Sequence, residues 1–120
     1  MARLKDKGIA LLGSATIDMK TAATTTIFTT DPGKVTRVTH VVVRDNTASL
    51  AGGTSYSITN FRQTFSLATL TGTGTGYVVV QATDLTLFTE TAASTAIQLT
   101  VTTGSTAAAN ATIDCFGYTT

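Results

Sequence analysis

Tryptophan is missing altogether, and proline, cysteine and histidine each occur once in the 120 residues. Each scarcity excludes something. A lone cysteine, Cys115, rules out an intramolecular disulfide framework. A lone histidine, His40, has no second histidine or neighbouring cysteine with which to complete a zinc site. Without tryptophan the usual sugar-stacking residue is gone. No apolar run approaches the roughly 18 residues of a membrane-spanning helix. Charge is scarce as well, at 12% of the chain with a formal net charge of +1, so bulk electrostatics do not predict nucleic-acid binding.

The few charges are unevenly placed. Residues 1–44 carry seven basic and three acidic side chains, whereas residues 45–120 carry one basic and four acidic ones. No lysine follows Lys34 and no proline follows Pro32. Lysine and proline are the usual guards of exposed edge strands, so the edges are expected to be covered by closure or by neighbouring subunits. Met1–Lys7 followed by Ile9–Leu12 has the outline of a signal peptide. The apolar run is too short and Asp6 interrupts the basic region, so secretion is not favoured.

Threonine fills the space left by charge, at about a quarter of all residues. Its β-branched body and hydroxyl tip suit a strand face that is wet or only partly covered. Hydrophobic residues make up 42%, which argues against a disordered linker. At this length one domain is expected, able to bury a core without metals or disulfides. The segment Ile27–Arg44 sets the character of the chain. It reads as two strands, Thr24–Thr30 and Val35–Arg44, paired as a hairpin around Asp31, Pro32 and Gly33. Proline presets the turn and glycine accepts a positive φ. Val41–Val43 and Val78–Val80 do not alternate with polar residues, which predicts strands covered on both faces.

Further strands are predicted at Ser14–Met19, Tyr56–Phe61, Phe65–Leu70, Tyr77–Ala82, Ile97–Thr102 and Asn110–Tyr118, with a weaker signal at Asp84–Glu90. Ala111, Ile113 and Cys115 would point inward. Loops are predicted at 45–53, 71–76 and 104–109, the second a flexible hairpin loop. Ala-Thr-Ile-Asp occurs at 15–18 and again at 111–114, too short a match to claim a repeat. About eight short strands with turn chemistry between them predict an all-β, single-domain sandwich or barrel over residues 14–120, preceded by an N-terminal arm at 1–13.

Catalytic chemistry finds little support. His40 sits mid-strand among valines, where a structural or interface role is expected, and no strained serine motif accompanies it. Cys115 reads as a buried, inert thiol. Gly72, Gly74 and Gly76 do not form a phosphate-binding fingerprint and no helix follows them. Asn110-Ala111-Thr112 matches a glycosylation acceptor at almost no significance in so threonine-rich a chain. The seven carboxylates fall in no glycosidase motif. The expectation is a non-enzymatic protein without a cofactor or metal. Arg3, Lys5 and Lys7, followed by Ile9, Leu11 and Leu12, are either a solvated terminus or an arm that docks on an acidic partner surface.

TTIFTT, the Pro-Gly-Lys turn, VTHVVVRD and TASLAGGTSYSIT occur in that order. Together with the closing VTTGSTAAANATIDCFGYTT and its aromatic-Gly-aromatic triplet, they resemble small structural proteins of tailed bacteriophages. The resemblance covers most of residues 24–120. It implies a virion protein, most plausibly a capsid decoration (cement) protein, with a jelly-roll or other β-barrel domain. It further implies a homotrimer on the capsid exterior that contacts itself and the major capsid protein, with no nucleic-acid or membrane partner. A head-fibre, tail or receptor-binding module contacting host glycan or protein is the competing expectation. The loops at 45–54, 71–76 and 104–109 would then carry specificity.

Overall fold

The computed structural model describes residues 9–34, 36–59, 63–81 and 95–119. Among them the chain is all-β, with seven strands: β1 (Ala10–Asp18), β2 (Thr24–Thr29), β3 (Thr36–Arg44), β4 (Ser55–Ile58), β5 (Tyr77–Gln81), β6 (Ala96–Thr103) and β7 (Asn110–Thr119). They form two antiparallel sheets in the orders β1-β7-β3-β5 and β2-β6-β4. The expected sandwich is therefore present. Odd-numbered strands lie in one sheet and even-numbered strands in the other, so every connection crosses between the layers.

That alternation overturns the hairpin expected at Pro32–Gly33. β2 takes its hydrogen bonds from β6, and β3 takes its own from β7 and β5. Thr30 extends the β2–β6 pairing. Its amide donates to the Thr95 carbonyl at 2.9 Å, and its hydroxyl accepts from the Thr95 amide at 3.0 Å. With β2 already satisfied, the segment from Thr30 carries the chain across the roughly 10 Å between packed sheets. Gly33 has the expected positive φ, at 76°. The turn chemistry is as read, but it joins two layers.

The inner faces are aliphatic. Ile17, Val41, Val43, Ile113, Ala111 and Cys115 from the larger sheet meet Ile27, Tyr56, Ile58, Ile97, Leu99 and Val101 from the smaller, all buried. Each large aliphatic side chain so covered contributes roughly 1.5–3 kcal/mol relative to exposure. Tyr56 is fully buried, and its hydroxyl donates to the Met19 carbonyl at 2.9 Å, so its one polar atom is satisfied. The two Ala-Thr-Ile segments turn out to pair with each other. Ala15 faces Ile113, Thr16 faces Thr112 and Ile17 faces Ala111 across β1 and β7.

Several sequence expectations need correction. β1 starts at Ala10 rather than Ser14, so Ala10–Gly13 belong to the sheet instead of the arm. Leu12 supplies the reason, since it packs on the core beside Gly117. Phe65–Leu70 is not a strand. Phe65 makes one bridge to Tyr56, and the chain then turns, leaving Leu67 and Leu70 buried. The predicted strand at Asp84–Glu90 lies outside the described residues. Neither valine triplet is covered on both faces. Val41 and Val43 are buried but Val42 is half-buried, and Val79 is 47% exposed between half-buried Val78 and buried Val80. Consecutive side chains point to opposite faces, so the middle valine of each triplet faces outward.

Candidate interaction surface

Cross-strand register places outward residues of the four-stranded sheet in rows, three of which run across all four strands, with Asp18 and Asn110 beyond one end and Arg37 and Tyr118 beyond the other. Thr16, Thr112, Arg44 and Tyr77 form the first; Ser14, Asp114, Val42 and Val79 the second; Leu11, Phe116, His40 and Gln81 the third. Side-chain contacts confirm that these groups share a face. The Thr16 and Thr112 hydroxyls lie 3.4 Å apart. The His40 ring stacks on Phe116 with centroids 5.0 Å apart and planes 3° from parallel. His40 Nδ1 is also 3.0 Å from the Thr39 hydroxyl.

A charged cluster sits within this mixed face. Ser14 Oγ donates to Asp114 Oδ1 at 2.6 Å, and Arg44 Nε donates to Asp114 Oδ2 at 2.6 Å. Arg44 also pairs with Asp45. Asp114 is almost fully buried. Burial by itself would raise its pKa, but the hydrogen bonds from Arg44 and Ser14 outweigh that and hold the carboxyl below its ordinary value. Arg44 is thus paired with two carboxylates of its own chain.

The outer face of the three-stranded sheet is different. Thr24, Thr26, Gln98, Thr100 and Ser57 lie across β2, β6 and β4. The Thr24 and Thr100 hydroxyls are 3.1 Å apart, and Gln98 Nε2 donates to Thr26 Oγ1 at 3.2 Å. Among the described residues this face is polar and uncharged. Among the described residues the large exposed hydrophobics are Ile9, Leu11, Tyr77 and Val79. The last three belong to the four-stranded sheet's outer face, and Ile9 immediately precedes its first strand.

The residues singled out from sequence are distributed as follows. Arg3, Lys5 and Lys7 lie outside the described residues. Ile9 and Leu11 are exposed, at 52% and 56%, while Leu12 is half-buried. Asp31, Pro32 and Gly33 are exposed on the crossing between layers, and Asp31 lies 3.9 Å from the Lys34 ammonium. Leu11, Leu12 and Asp31 meet at a groove of about 210 Å³ that Phe28 and Thr119 also line. Sequence reasoning does not find the outward strip of Val42, Val79, Tyr77, His40 and Phe116. Its signal is present in the odd-even position of the middle valines, but only strand pairing shows that no other described strand lies outside them.

Cys115 is fully buried on the inner face, and burial together with the nearby Asp114 charge pushes its thiol up to about 12. Among the described residues no group of three or more His, Cys, Asp or Glu side chains is arranged to hold a metal ion. No protein-family profile, curated protein or solved structure matches the chain.

Proposed function

We propose that this chain is a non-enzymatic virion structural protein of the capsid decoration (cement) type, which stabilises a phage head by associating with itself and bridging major capsid protein subunits on the capsid exterior. The observation that carries this reading is the outer face of the four-stranded sheet. It offers apolar and aromatic contact with Arg44 and Asp114 already paired, and such a surface is covered at small desolvation cost. Multiple modest contacts of this kind suit a clamp, because each tether raises the effective concentration for the next. Strand order lends support to the jelly-roll that the phage-protein resemblance implies. The described strands alternate between the layers, and Phe65 bridges to β4 where an eighth strand would complete the second sheet.

The test is co-sedimentation of the purified protein with capsids that lack their decoration protein, followed by electron cryo-microscopy of the pelleted particles. Saturable binding with added density on the capsid exterior is the expected result. Absence of binding to capsids, combined with robust binding on a glycan array, would replace this reading with a receptor-binding module.

A further inference from the structure

We infer that the outer edge of β5 is where a second copy of this chain docks, its own β5 pairing antiparallel with this one about a two-fold axis at Val79 and joining two four-stranded sheets into one. Strand order leaves four edges, β1 and β5 in the larger sheet and β2 and β4 in the smaller. Among the described residues, all but the β5 edge are covered or blunted by the chain itself. Along β4, Tyr56 and Phe65 exchange backbone hydrogen bonds of 3.0 and 2.9 Å, and just before it the Gly53 carbonyl accepts from the Leu67 amide. β1 and β2 lie against each other, with Phe28 close on Gly13. Each carries a register shift there, between Leu11 and Gly13 and between Thr26 and Phe28. Bulges of this kind blunt an edge.

β5 runs in unbroken register with β3 from Tyr77 to Gln81 and contains no charge and no proline. Alternate residues of an edge strand turn their amide and carbonyl groups away from the sheet, ready to pair with another strand. Among the described residues, what reaches this backbone from outside the sheet is the Gln63 side chain, whose Nε2 donates to the Gln81 carbonyl at 3.0 Å. That contact sits at one end of the strand, on a side chain that can swing aside. The sequence of the strand identifies the occupant. Its central Val-Val-Val reads the same in either direction, so antiparallel self-pairing sets Val79 beside Val79 and Val78 beside Val80, with Tyr77 beside Gln81. β-Branched pairs are favourable across strands, and no like charges meet. A two-fold axis through Val79 keeps the two outer faces on one side, where Tyr77 and Val79 are exposed, and the two inner faces on the other, where half-buried Val78 gains an apolar neighbour.

This placement rests on the proposed role, which includes self-association, but it is tested in solution without capsids, so either can fail alone. Sedimentation velocity of the full chain is measured from micromolar to millimolar concentration, with circular dichroism and a thermal melt on every variant. A pairing of five residues is a small interface, so the dimer is expected to build up toward the top of that range. Val79→Lys and Val79→Glu each bring like charges together on the axis. Each should weaken dimerisation about fivefold or more, and an equimolar mixture of the two should recover it. Leu11→Lys, exposed on the opposite edge strand, should leave dimerisation intact. Hydrogen exchange gives a readout on the wild type itself, because amides within Tyr77–Gln81 should exchange more slowly as the dimer forms. A monomer at every concentration, a trimer, or β5 exchange that does not change on association overturns the inference. So does an oligomer that survives both charges at residue 79, or a mixture that fails to recover it.

Discussion

The two sheets share one kind of inner face and have opposite kinds of outer face. Inside, both contribute aliphatic side chains to a common core. Outside, the three-stranded sheet presents hydroxyls and an amide bonded to one another, and the four-stranded sheet presents apolar and aromatic side chains beside the Arg44–Asp114 ion cluster and a Thr16–Thr112 hydroxyl pair. Since burial of the inner faces suffices to hold the layers together, the outer faces are free to differ. The threonine-rich composition describes the wet side. The other side keeps Thr16 and Thr112 but adds valine, tyrosine, leucine and phenylalanine.

Breaking the four-stranded sheet itself should have the largest effect. β7 joins β1 to β3, and Gly117 lies opposite Val38 where the register slips around Thr39. A Cβ at Gly117 would run into the Arg37 backbone carbonyl, which cannot swing aside as a side chain would. Gly117→Ala should therefore cost about 3 kcal/mol or more, read as a lower denaturant midpoint. This accounts physically for the glycine of the Phe116-Gly117-Tyr118 triplet. A midpoint within error of wild type would place the strands further apart at that bulge.

The crossing between the layers comes next. Gly33 has φ of 76°, and a Cβ there would touch nothing within 4 Å. Gly33→Val should then cost about 1–3 kcal/mol through backbone strain alone. Gly33→Asn, whose side chain tolerates this region better, should recover most of the loss. Equal losses in the two variants would mean that packing rather than φ sets the requirement.

The ion cluster on the mixed face gives a smaller, pH-dependent effect. Asp114→Asn keeps the shape and removes the charge, and should cost about 1–2 kcal/mol at neutral pH through weaker hydrogen bonds. The folded carboxyl titrates below its ordinary value of 3.8. Its contribution is thus fully present above that value and is lost as pH falls through the lower folded pKa. Stability curves of wild type and Asp114→Asn should converge on acidification below about pH 4 and lie furthest apart at neutral pH. A gap that stays constant through the acid range would show that the carboxylate charge is not what stabilises the cluster.

Much of the inner architecture is legible in the amino-acid sequence. Alternation at Ile97, Leu99 and Val101 and at Ala111, Ile113 and Cys115 assigns inward faces that are all buried. Periodicity gives which side of a strand is covered, but it carries no information about which strand lies alongside. Pro32-Gly33 therefore reads as a hairpin, when β2 and β3 belong to different layers. For the same reason Val41–Val43 and Val78–Val80 read as covered on both faces. A run without polar residues is equally consistent with an outer face reserved for a partner. The candidate surface is hidden from periodicity because its members come from β1, β3, β5 and β7, the first and last of which pair across nearly the whole chain length.

The smallest expected effect sharpens the comparison most. Thr100 lies at the centre of the wet face, on the middle strand, with its hydroxyl 3.1 Å from that of Thr24. Thr100→Val removes one solvent-competed hydrogen bond and leaves a β-branched side chain of nearly the same shape. Loss of the bond and the gain in strand preference oppose each other, so stability should change by no more than about 0.5 kcal/mol. Replacing Thr24 and Thr100 together by valine should likewise leave the melt almost unmoved, while bringing two apolar groups side by side on the outer face. If apolar character outside the sheet is what makes copies associate, this double variant should sediment as a larger species than the wild type at equal concentration. A loss well above about 1 kcal/mol in either variant would instead show that the hydroxyl pairs hold the three-stranded sheet together, and the difference between the two outer faces would then concern stability rather than association.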